Sequence, residues 1–503
     1  MKWRDDLRQL DKEIVLLAHS MAILGWDQET YMPRKAIGER AEQLALLQGI
    51  CHDKIVDPRW QDAFESMGIE DVNRFPVEGL SDDQALLREA FRRYQKEAAL
   101  SKDLVMAISR QTSLSQAKWA EAKKARNYSI FEPELKKLFA LVKEKAETIG
   151  YQENIYDALL DDYEPYMTLK ELEKVFDDFK GPLKDLFFKI CDQKSDIPHD
   201  FLHLPFSVEK QKKLNKEVLN QLKFPFERAR LDESEHPFTT TLGMDDVRIT
   251  THFHEEYFPA AFFGTVHEAG HALYELGIDS RWAESVIADG VSLGVHESQS
   301  RLWENIVFRG KSYWQGYYPE LSKIYPENFK DVRVDQFYKA INRVEPSLIR
   351  IEADELSYNL HIIIRFELEK RLFAGDIDTK DLPEAWNKAY KDSLGIMPSH
   401  NSEGVLQDIH WSMGAFGYFP TYSLGNLYSA QIYHKMKQDI SDLEQDIANR
   451  KFDKMVQWLG QNIHQYGKFY RAKDLMKKAT GEDLNPKYFM NYLNQKFGEI
   501  YGL

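Results

Sequence analysis

The chain has 503 residues, 43% hydrophobic and 29% charged, a composition that suits a large globular fold with a substantial core. Its net charge of -15 argues against a nucleic-acid backbone as the main partner, and no apolar run is long enough to span a bilayer. The charged N-terminus lacks the apolar centre of a signal peptide, and two cysteines, Cys51 and Cys191, fit free thiols in a reducing compartment. We therefore expect a cytoplasmic protein without a membrane partner.

Most of the chain carries a helical pattern, in which apolar residues recur at three- and four-residue spacing between charged faces. The clearest such segments are residues 83–123, 133–149 and 168–193. Helix starts fit Ser81 and the pair Asp162 and Tyr163, and helix ends fit Gly150 and Gly375. Because there is no internal repeat, low-complexity tract or linker, the pattern predicts one large α-helical domain.

One segment departs from the helical pattern. Residues 236–251 are rich in Thr, Val and Ile with Gly243 near the centre, which predicts a β hairpin. Val247 and Ile249 would share one face of it, with Arg248 and Thr250 on the other. An edge strand can bind the extended backbone of a peptide, so the hairpin is either a substrate-binding element or a plain surface hairpin.

Residues 267–271 read His-Glu-Ala-Gly-His on a helix predicted from Pro259 to Leu276. Histidines four residues apart share a helix face and can bind one divalent metal. Glu268, next to the first histidine, can reach a water molecule on that metal as general base. The helix is largely apolar and therefore buried, where such polar side chains need partners. A metal is one such partner, and a hydrogen-bonded core network is the alternative.

A catalytic zinc needs three protein ligands and an open position for water. Ser292 begins a second predicted helix, which carries the favoured third ligand, Glu297. His296 is its main rival. Lesser candidates are Glu275, Glu284 and Glu304. With two histidines and Glu297 as ligands and Glu268 as base, the chemistry is hydrolysis of an amide bond.

Residues 346–361 are predicted to open a long apolar helix with polar residues along one face. These polar residues are Arg350, Asp354, Tyr358 and His361. The stripe is either a structural ion-pair network or the wall of a site. An arginine there would suit an exopeptidase, because its planar fork binds the free C-terminal carboxylate of a peptide bidentately.

Residues 404–426 combine glycines, aromatic side chains and a histidine in a segment broken by Pro420. This composition is more typical of a site than of a core. His410 or Tyr422 could donate a hydrogen bond to a developing oxyanion. The alternative is an aromatic loop that packs two helices together.

Taken together, these motifs resemble the carboxypeptidase Taq family, also called thermostable carboxypeptidase 1. Six stretches match the family's motifs in order: His236-Pro237-Phe238, Asp246 to Thr250 (DxRxT), His267 to His271 (HExxH), His296 to Gln299 (HES/GQ), Ile349 to Asp354 (IRxxAD) and Gly404 to Trp411 (GxxQDxHW). Near the N-terminus, Leu24 to Thr30 and Arg40 to Gln43 also look typical. The resemblance covers the chain from about Trp26 to Tyr422.

The resemblance implies a metallocarboxypeptidase that releases single C-terminal amino acids from peptides with broad preference. It implies a zinc cofactor, replaceable by cobalt, and a homodimer. The implied fold is all-α with a small β hairpin near the active site, similar to neurolysin and angiotensin-converting enzyme, with two lobes and a deep central groove. Residues 1–503 would form a single catalytic domain, in which an N-terminal helical lobe covers roughly residues 1–130.

Site residues follow from the matching motifs. The implied metal ligands are His267, His271 and Glu297, with Glu268 as general base. The implied substrate-binding residues are Arg350, Arg248, His410 and Tyr422, with Arg350 the first choice for the substrate carboxylate and Arg248 the second.

One position departs from the wider class of such peptidases, many of which carry an aspartate four residues after the ligand glutamate, where it supports a histidine. Here that position is Arg301, so Asp354 or Asp408 is expected to orient a ligand histidine instead. Two alternative functions stay open: an oligopeptidase or dipeptidyl carboxypeptidase on the same scaffold, and a non-catalytic peptide-binding protein. The intact Glu268 argues against the second, because a binding protein needs no base.

Overall fold

The structure is a computed structural model that describes residues 2–76, 79–193 and 196–503, and it is mostly helical with one small sheet. In chain order the elements are α1 (Asp5–Thr30), α2 (Ile37–Ile55), α3 (Pro58–Ser66), α4 (Asp82–Ala99), α5 (Lys102–Ala125), α6 (Glu132–Ile149), α7 (Ile155–Leu160), α8 (Leu169–Asp192), α9 (Val208–Gln221), β1 (Ala229–Glu233), β2 (Thr239–Gly243), β3 (Asp246–Thr251), α10 (Phe258–Leu276), α11 (Leu293–Arg301), α12 (Lys311–Ile324), α13 (Pro326–Phe329), α14 (Val334–Ile341), α15 (Ser357–Ala374), α16 (Leu382–Leu394), α17 (Pro420–Asp439), α18 (Leu443–Ala448), α19 (Asp453–Asn462), α20 (Ala472–Thr480) and α21 (Lys487–Tyr501). The predicted all-α class with a small β element is confirmed.

Several helix boundaries follow the capping signals in the sequence. Helix α8 begins after Thr168, whose hydroxyl accepts a hydrogen bond from the backbone N–H of Glu171 in a capping box. Helix α15 ends at Gly375, which adopts a left-handed φ of 80°. The helical pattern over 83–123 is interrupted at Ser101, whose side chain caps α5 by accepting from the backbone N–H of Leu104.

Two predicted helix starts are wrong. Asp162 and Tyr163 lie in turns after α7, and the next helix begins only at α8. The long helix predicted from residue 346 begins instead at Ser357. Its start is set by Asp354, whose carboxylate accepts hydrogen bonds from the backbone N–H groups of Leu356 and Ser357. Arg350 therefore lies in a short 3₁₀ turn before α15, not on a stripe of that helix.

The predicted hairpin forms, as β2 and β3 pair antiparallel with Thr239 opposite Ile249 and Thr240 opposite Arg248. A third strand, β1, extends the sheet by pairing parallel with β3, giving the order β1-β3-β2. The sequence pattern did not predict β1. Val247 and Ile249 are fully buried, as their alternation predicts, and β2 forms one edge of the sheet.

The chain forms two compact units. The first comprises Met1–Ala98, Ile197–Ile341 and Tyr428–Asp483, and the second comprises Ala99–Asp196, Asn342–Leu427 and Leu484–Leu503. In the first unit, α1 to α4 enclose an apolar core that also takes in Trp282 and Ile287, from the segment between α10 and α11. The prediction of a single catalytic domain stays a prediction.

Two predictions about the whole chain can be checked against the described residues. Among the described helices, none is long and apolar enough to cross a bilayer. Both cysteines are free; Cys51 is buried and Cys191 is partly buried.

Candidate metal centre and active site

Helix α10 carries both histidines of the HExxH motif one turn apart. It spans Phe258–Leu276, which matches the prediction to within one residue, with Pro259 in its first turn and Gly277 following its last residue. Nearly the whole helix is buried, including the side chain of Glu268. The motif therefore lies on a rigid element inside the first unit rather than on a surface helix.

Gly270, inside the motif, allows α11 to lie directly against α10. A Cβ atom at this position would lie 2.6 Å from the carbonyl oxygen of Gln299 and 2.7 Å from Cα of Ser300. Both are backbone atoms of α11, so no side-chain rotation could relieve the contact. The absence of a side chain at Gly270 brings the helix that carries Glu297 within reach of the two histidines.

The structure brings His267, His271 and Glu297 into one group whose ligand atoms all lie within 4.8 Å of one another. Glu297 Oε2 lies 3.6 Å from His267 Nε2 and 3.4 Å from His271 Nε2. A tetrahedral zinc ion about 2.0–2.1 Å from each ligand would separate the ligand atoms by about 3.3–3.4 Å. The nitrogen and oxygen donors of this group therefore suit a zinc ion, and the two distances to Glu297 are close to the spacing that zinc requires.

A carboxylate supports the first histidine. Glu304 Oε2 lies 2.8 Å from His267 Nδ1, which leaves Nε2 of His267 for a metal. The expectation that Asp354 or Asp408 would orient a ligand histidine is not met at His267. Burial would raise the pKa of Glu304, but the hydrogen bond with His267 and the charge of Arg301 lower it to about 2.

Arg301 replaces the aspartate of the wider class and has a different role. Its Nε donates a hydrogen bond to Glu297 Oε1 at 2.6 Å, while Ser300 Oγ donates to Oε2 at 3.0 Å. Burial would raise the pKa of Glu297, but the positive charge of Arg301 and the contacts with His267 and His271 hold it well below its usual range. Arg301 thus keeps Glu297 ionised and fixes its orientation.

His296, the main rival for third ligand, lies outside the ligand group. Its Nδ1 lies 2.6 Å from Nδ1 of His271, and its Nε2 lies 2.8 Å from Glu275 Oε1. His296 and Glu275, which were both considered as alternative ligands, therefore form a hydrogen-bonded series that begins at Nδ1 of His271.

Glu268 is held in place by the neighbouring sheet. Thr239, on β2, donates a hydrogen bond from Oγ1 to Glu268 Oε2 at 2.6 Å. Burial raises the pKa of the Glu268 carboxyl, as do the negative charges of Glu297 and Glu304, while His267 and the bond from Thr239 oppose the shift. A buried carboxylate with a raised pKa beside a metal site is suited to accept a proton.

In the second unit, Arg350 belongs to a buried charge cluster. Its Nε donates to Asp408 Oδ1 at 2.8 Å and its Nη1 donates to the Tyr358 hydroxyl at 2.9 Å. Arg365 holds the other carboxylate oxygen of Asp408 through Nε at 2.7 Å. Although burial opposes it, Arg365 and Arg350 hold the pKa of Asp408 well below its usual range. Two arginines thus share one carboxylate, which leaves an excess of positive charge in these three residues.

The other predicted substrate-binding residues divide between the units. His410 and Tyr422 are neighbours of Arg350: His410 Nε2 lies 3.3 Å from the Tyr422 hydroxyl, and the Arg350 guanidinium lies 5.0 Å from the Tyr422 ring centre. Arg248 lies in the first unit, where it pairs with Asp246 and stacks 4.2 Å from the ring centre of Trp26. The structure therefore groups three of the four residues and places Arg248 in the sheet beside β2.

A profile of the carboxypeptidase Taq (M32) metallopeptidase family matches residues 6–497. The chain belongs to this family. Thermostable carboxypeptidase 1 of Thermus thermophilus is 40% identical to this chain over an alignment of 507 residues that covers 99% of this chain and 98% of that protein. Carboxypeptidase 1 of Bacillus subtilis is 38% identical, covering 97% of each. The crystal structure of an M32 carboxypeptidase from Deinococcus radiodurans R1 superposes with a TM-score of 0.94 at 34% identity, covering 99% of each chain.

These comparisons confirm the resemblance of the sequence motifs to those of the carboxypeptidase Taq family. The carboxypeptidase Taq family consists of metallopeptidases, so this member is assigned to the metal-dependent peptide hydrolases. The mostly helical fold is shared with solved carboxypeptidases over nearly the whole chain.

Proposed function

We propose that this protein is a zinc carboxypeptidase that removes single C-terminal amino acids from peptides with broad preference. The observation that carries the proposal is the group of His267, His271 and Glu297, with buried Glu268 beside it on α10. The relatives named carboxypeptidase 1 match along nearly the whole chain, which supports release from the carboxyl end. Cobalt is proposed as a substitute metal because it accepts the same nitrogen and oxygen donors.

In the proposed mechanism His267, His271 and Glu297 hold the metal. When bound, a zinc ion lowers the pKa of a water molecule and polarises a carbonyl oxygen. Glu268 accepts the proton of the attacking water and passes it to the departing amine. Thr239 keeps the Glu268 carboxylate in one orientation during both transfers, and His410 or Tyr422 donates a hydrogen bond to the substrate or its oxyanion.

We propose that Arg350 binds the free carboxylate of the substrate. Within the described chain, the two bonds to Asp408 and the one to Tyr358 use three of its five N–H groups, which leaves two for another acceptor. The excess of arginine over aspartate in this cluster supports an anionic partner. Asp408 holds the guanidinium fork in a fixed orientation, which reduces the entropy lost on binding.

A two-lobed fold like that of neurolysin and angiotensin-converting enzyme, with a deep groove, is the arrangement proposed for binding a peptide end. A homodimer and a cytoplasmic location stay predictions.

The activity can be tested by product analysis with two peptides of the same sequence, one with a free carboxyl terminus and one amidated. We expect release of one amino acid at a time from the free peptide and little reaction with the amidated one. Ready cleavage of an internal bond in the amidated peptide would favour an oligopeptidase. Release of dipeptides from the free peptide would favour a dipeptidyl carboxypeptidase, and binding without hydrolysis would favour a peptide-binding protein.

Removing the metal should abolish activity reversibly. After treatment with a chelator and confirmation of metal loss by elemental analysis, we expect activity below about 1% of the original, restored by one equivalent of Zn²⁺ or Co²⁺. The melting temperature should also fall, because a ligand present at about 100 times its dissociation constant stabilises the folded state by about 2.7 kcal/mol. Full activity in protein shown to be metal-free would refute the metal mechanism.

Replacing Arg350 should weaken catalysis strongly. We expect R350A to lower kcat/KM for a peptide with a free C-terminus by about two to three powers of ten, because a buried charged hydrogen-bonded pair is worth about 2–5 kcal/mol. Metal content should be unchanged. R248A is the matched comparison, since Arg248 also pairs with an aspartate but is the second candidate. If R350A is fully active and R248A is not, the carboxylate role belongs to Arg248.

A further inference from the structure

The two histidine ligands are supported in different ways. His267 contacts the carboxylate of Glu304 directly through Nδ1. The Nδ1 atom of His271 instead contacts a second imidazole, that of His296, and His296 in turn contacts the carboxylate of Glu275. Support of a ligand histidine by a carboxylate or carbonyl is common, so an interposed imidazole needs its own explanation.

The positions of the ring protons decide which nitrogen of His296 donates a hydrogen bond and which accepts one. If Nε2 of His271 binds the metal, its Nδ1 must carry the proton and donate to Nδ1 of His296 across the 2.6 Å contact. His296 must then accept at Nδ1 and carry its own proton on Nε2. That proton is donated to Glu275 Oε1, 2.8 Å away. Each N–H donor in this series of hydrogen bonds has one acceptor. The two contacts together therefore allow one tautomer of His271 and one tautomer of His296.

The surroundings of His296 fix its ring in this place. A Cβ atom on Gly290 would lie 2.6 Å from His296 Cδ2, so only glycine leaves room for the ring. The Tyr274 ring packs 5.3 Å from the imidazole, and the Tyr274 hydroxyl accepts a hydrogen bond from the backbone N–H of Val291. Glu275 is buried, with its side chain only 5% exposed, so its charge acts on His296 with little screening by water.

We propose that His296 is a positioning residue for the metal ligand His271, and that Glu275 sets the tautomer of His296. His296 holds the Nδ1–H of His271 and so presents the lone pair of Nε2 toward the ion. The inference rests on the proposed metal site but not on the identity of the substrate. It assigns a role to the first residue of the HES/GQ motif, whose next residue supplies the third ligand.

The test is metal affinity, measured without substrate by competition with a chromophoric zinc chelator. H296L removes both polar atoms, and we expect zinc to bind about 10- to 100-fold more weakly. H296Q keeps an acceptor and a donor at similar separation, so it should bind zinc within about threefold of the unchanged protein. Equal affinity of H296L and the unchanged protein, or failure of H296Q to restore binding, would overturn the proposal.

Two further variants separate positioning from packing. His464 is also a buried imidazole that packs on Tyr274, but its Nε2 contacts Gln299 and not a ligand. H464L should lower the melting temperature without changing zinc affinity. E275L should weaken zinc binding, and it should add no further loss in the H296L background because both act through one chain.

The outcomes remain interpretable if one variant does not fold. Should H296L fail to fold, the loss of affinity in E275L and its absence in H464L carry the test, and an unchanged affinity in E275L would overturn the proposal. Because zinc binding is read without hydrolysis, a protein that binds zinc normally but releases no amino acid would contradict the proposed function and leave this inference standing.

Discussion

The variant E268Q is expected to retain its metal and lose about three to four powers of ten in kcat. Glutamine has the size of glutamate but cannot accept the proton of the attacking water, and general acid–base catalysis contributes up to about 10⁴-fold. Glu268 is not a member of the cluster of His267, His271 and Glu297, so zinc stoichiometry should not change. The Thr239 hydroxyl, now bonded to the carboxylate, can still bond to the amide, so the local structure should be preserved.

The matched control is E256Q, since Glu256 is exposed in the segment before α10. It makes the same chemical change outside the site and should keep full activity. Steady-state kinetics and elemental analysis on both variants give the answer. Unchanged hydrolysis by metal-loaded E268Q would show that another group accepts the proton, and the assignment of Glu268 would be wrong.

The second large effect is expected for G270A, which adds one methyl group between two helices. That methyl group would lie 2.6 Å from the carbonyl oxygen of Gln299, so the backbones of α10 and α11 must move apart. Overpacking of this kind costs about 1–3 kcal/mol or more, and it would displace Glu297 from the two histidines. We expect a lower melting temperature and at least a hundredfold loss of zinc affinity.

A glycine on the same helix provides the control for G270A. A Cβ atom at Gly264 would meet only Cγ of Pro237, at 3.9 Å, which is ordinary contact. G264A should therefore bind zinc normally and gain up to about 0.5–1 kcal/mol in stability, the usual advantage of alanine inside a helix. Zinc affinity and thermal unfolding should be measured together. Normal zinc binding by G270A would show that the close approach of the helices is not needed to place Glu297.

The clustering of His267, His271 and Glu297 could be predicted because these residues obey local rules. The i, i+4 spacing of His267 and His271 holds on any α-helix, and Ser292 marks the start of the helix that carries Glu297. Glu304 was considered only as a lesser ligand, although it follows Glu297 by seven residues, a spacing that returns to the same face of a regular α-helix. The spacing carried that signal, but only the tertiary structure shows which histidine it meets.

Three features of the structure were not predicted from the sequence. The apolar periodicity after residue 346 is genuine, but the carboxylate of Asp354 captures backbone N–H groups and sets a later helix start. Strand β1 was missed because its pairing partner, β3, lies beyond β2 in the sequence. The chain from His271 to Glu275 through His296 depends on how α10 and α11 are packed, which periodicity does not specify.

Gly270 has a consequence for the thermodynamics of metal uptake. Where two helices meet through side chains, rotamer changes can alter their separation, but here main-chain atoms set the limit of approach. The distances between the donor atoms of His267, His271 and Glu297 are thus limited by two stiff peptide backbones that are in direct contact. An arriving ion meets donors that are already ordered, so little conformational entropy is lost on binding. Selectivity among divalent ions then depends on how well each ion accepts a fixed triangle of donors, not on how far the protein can adapt.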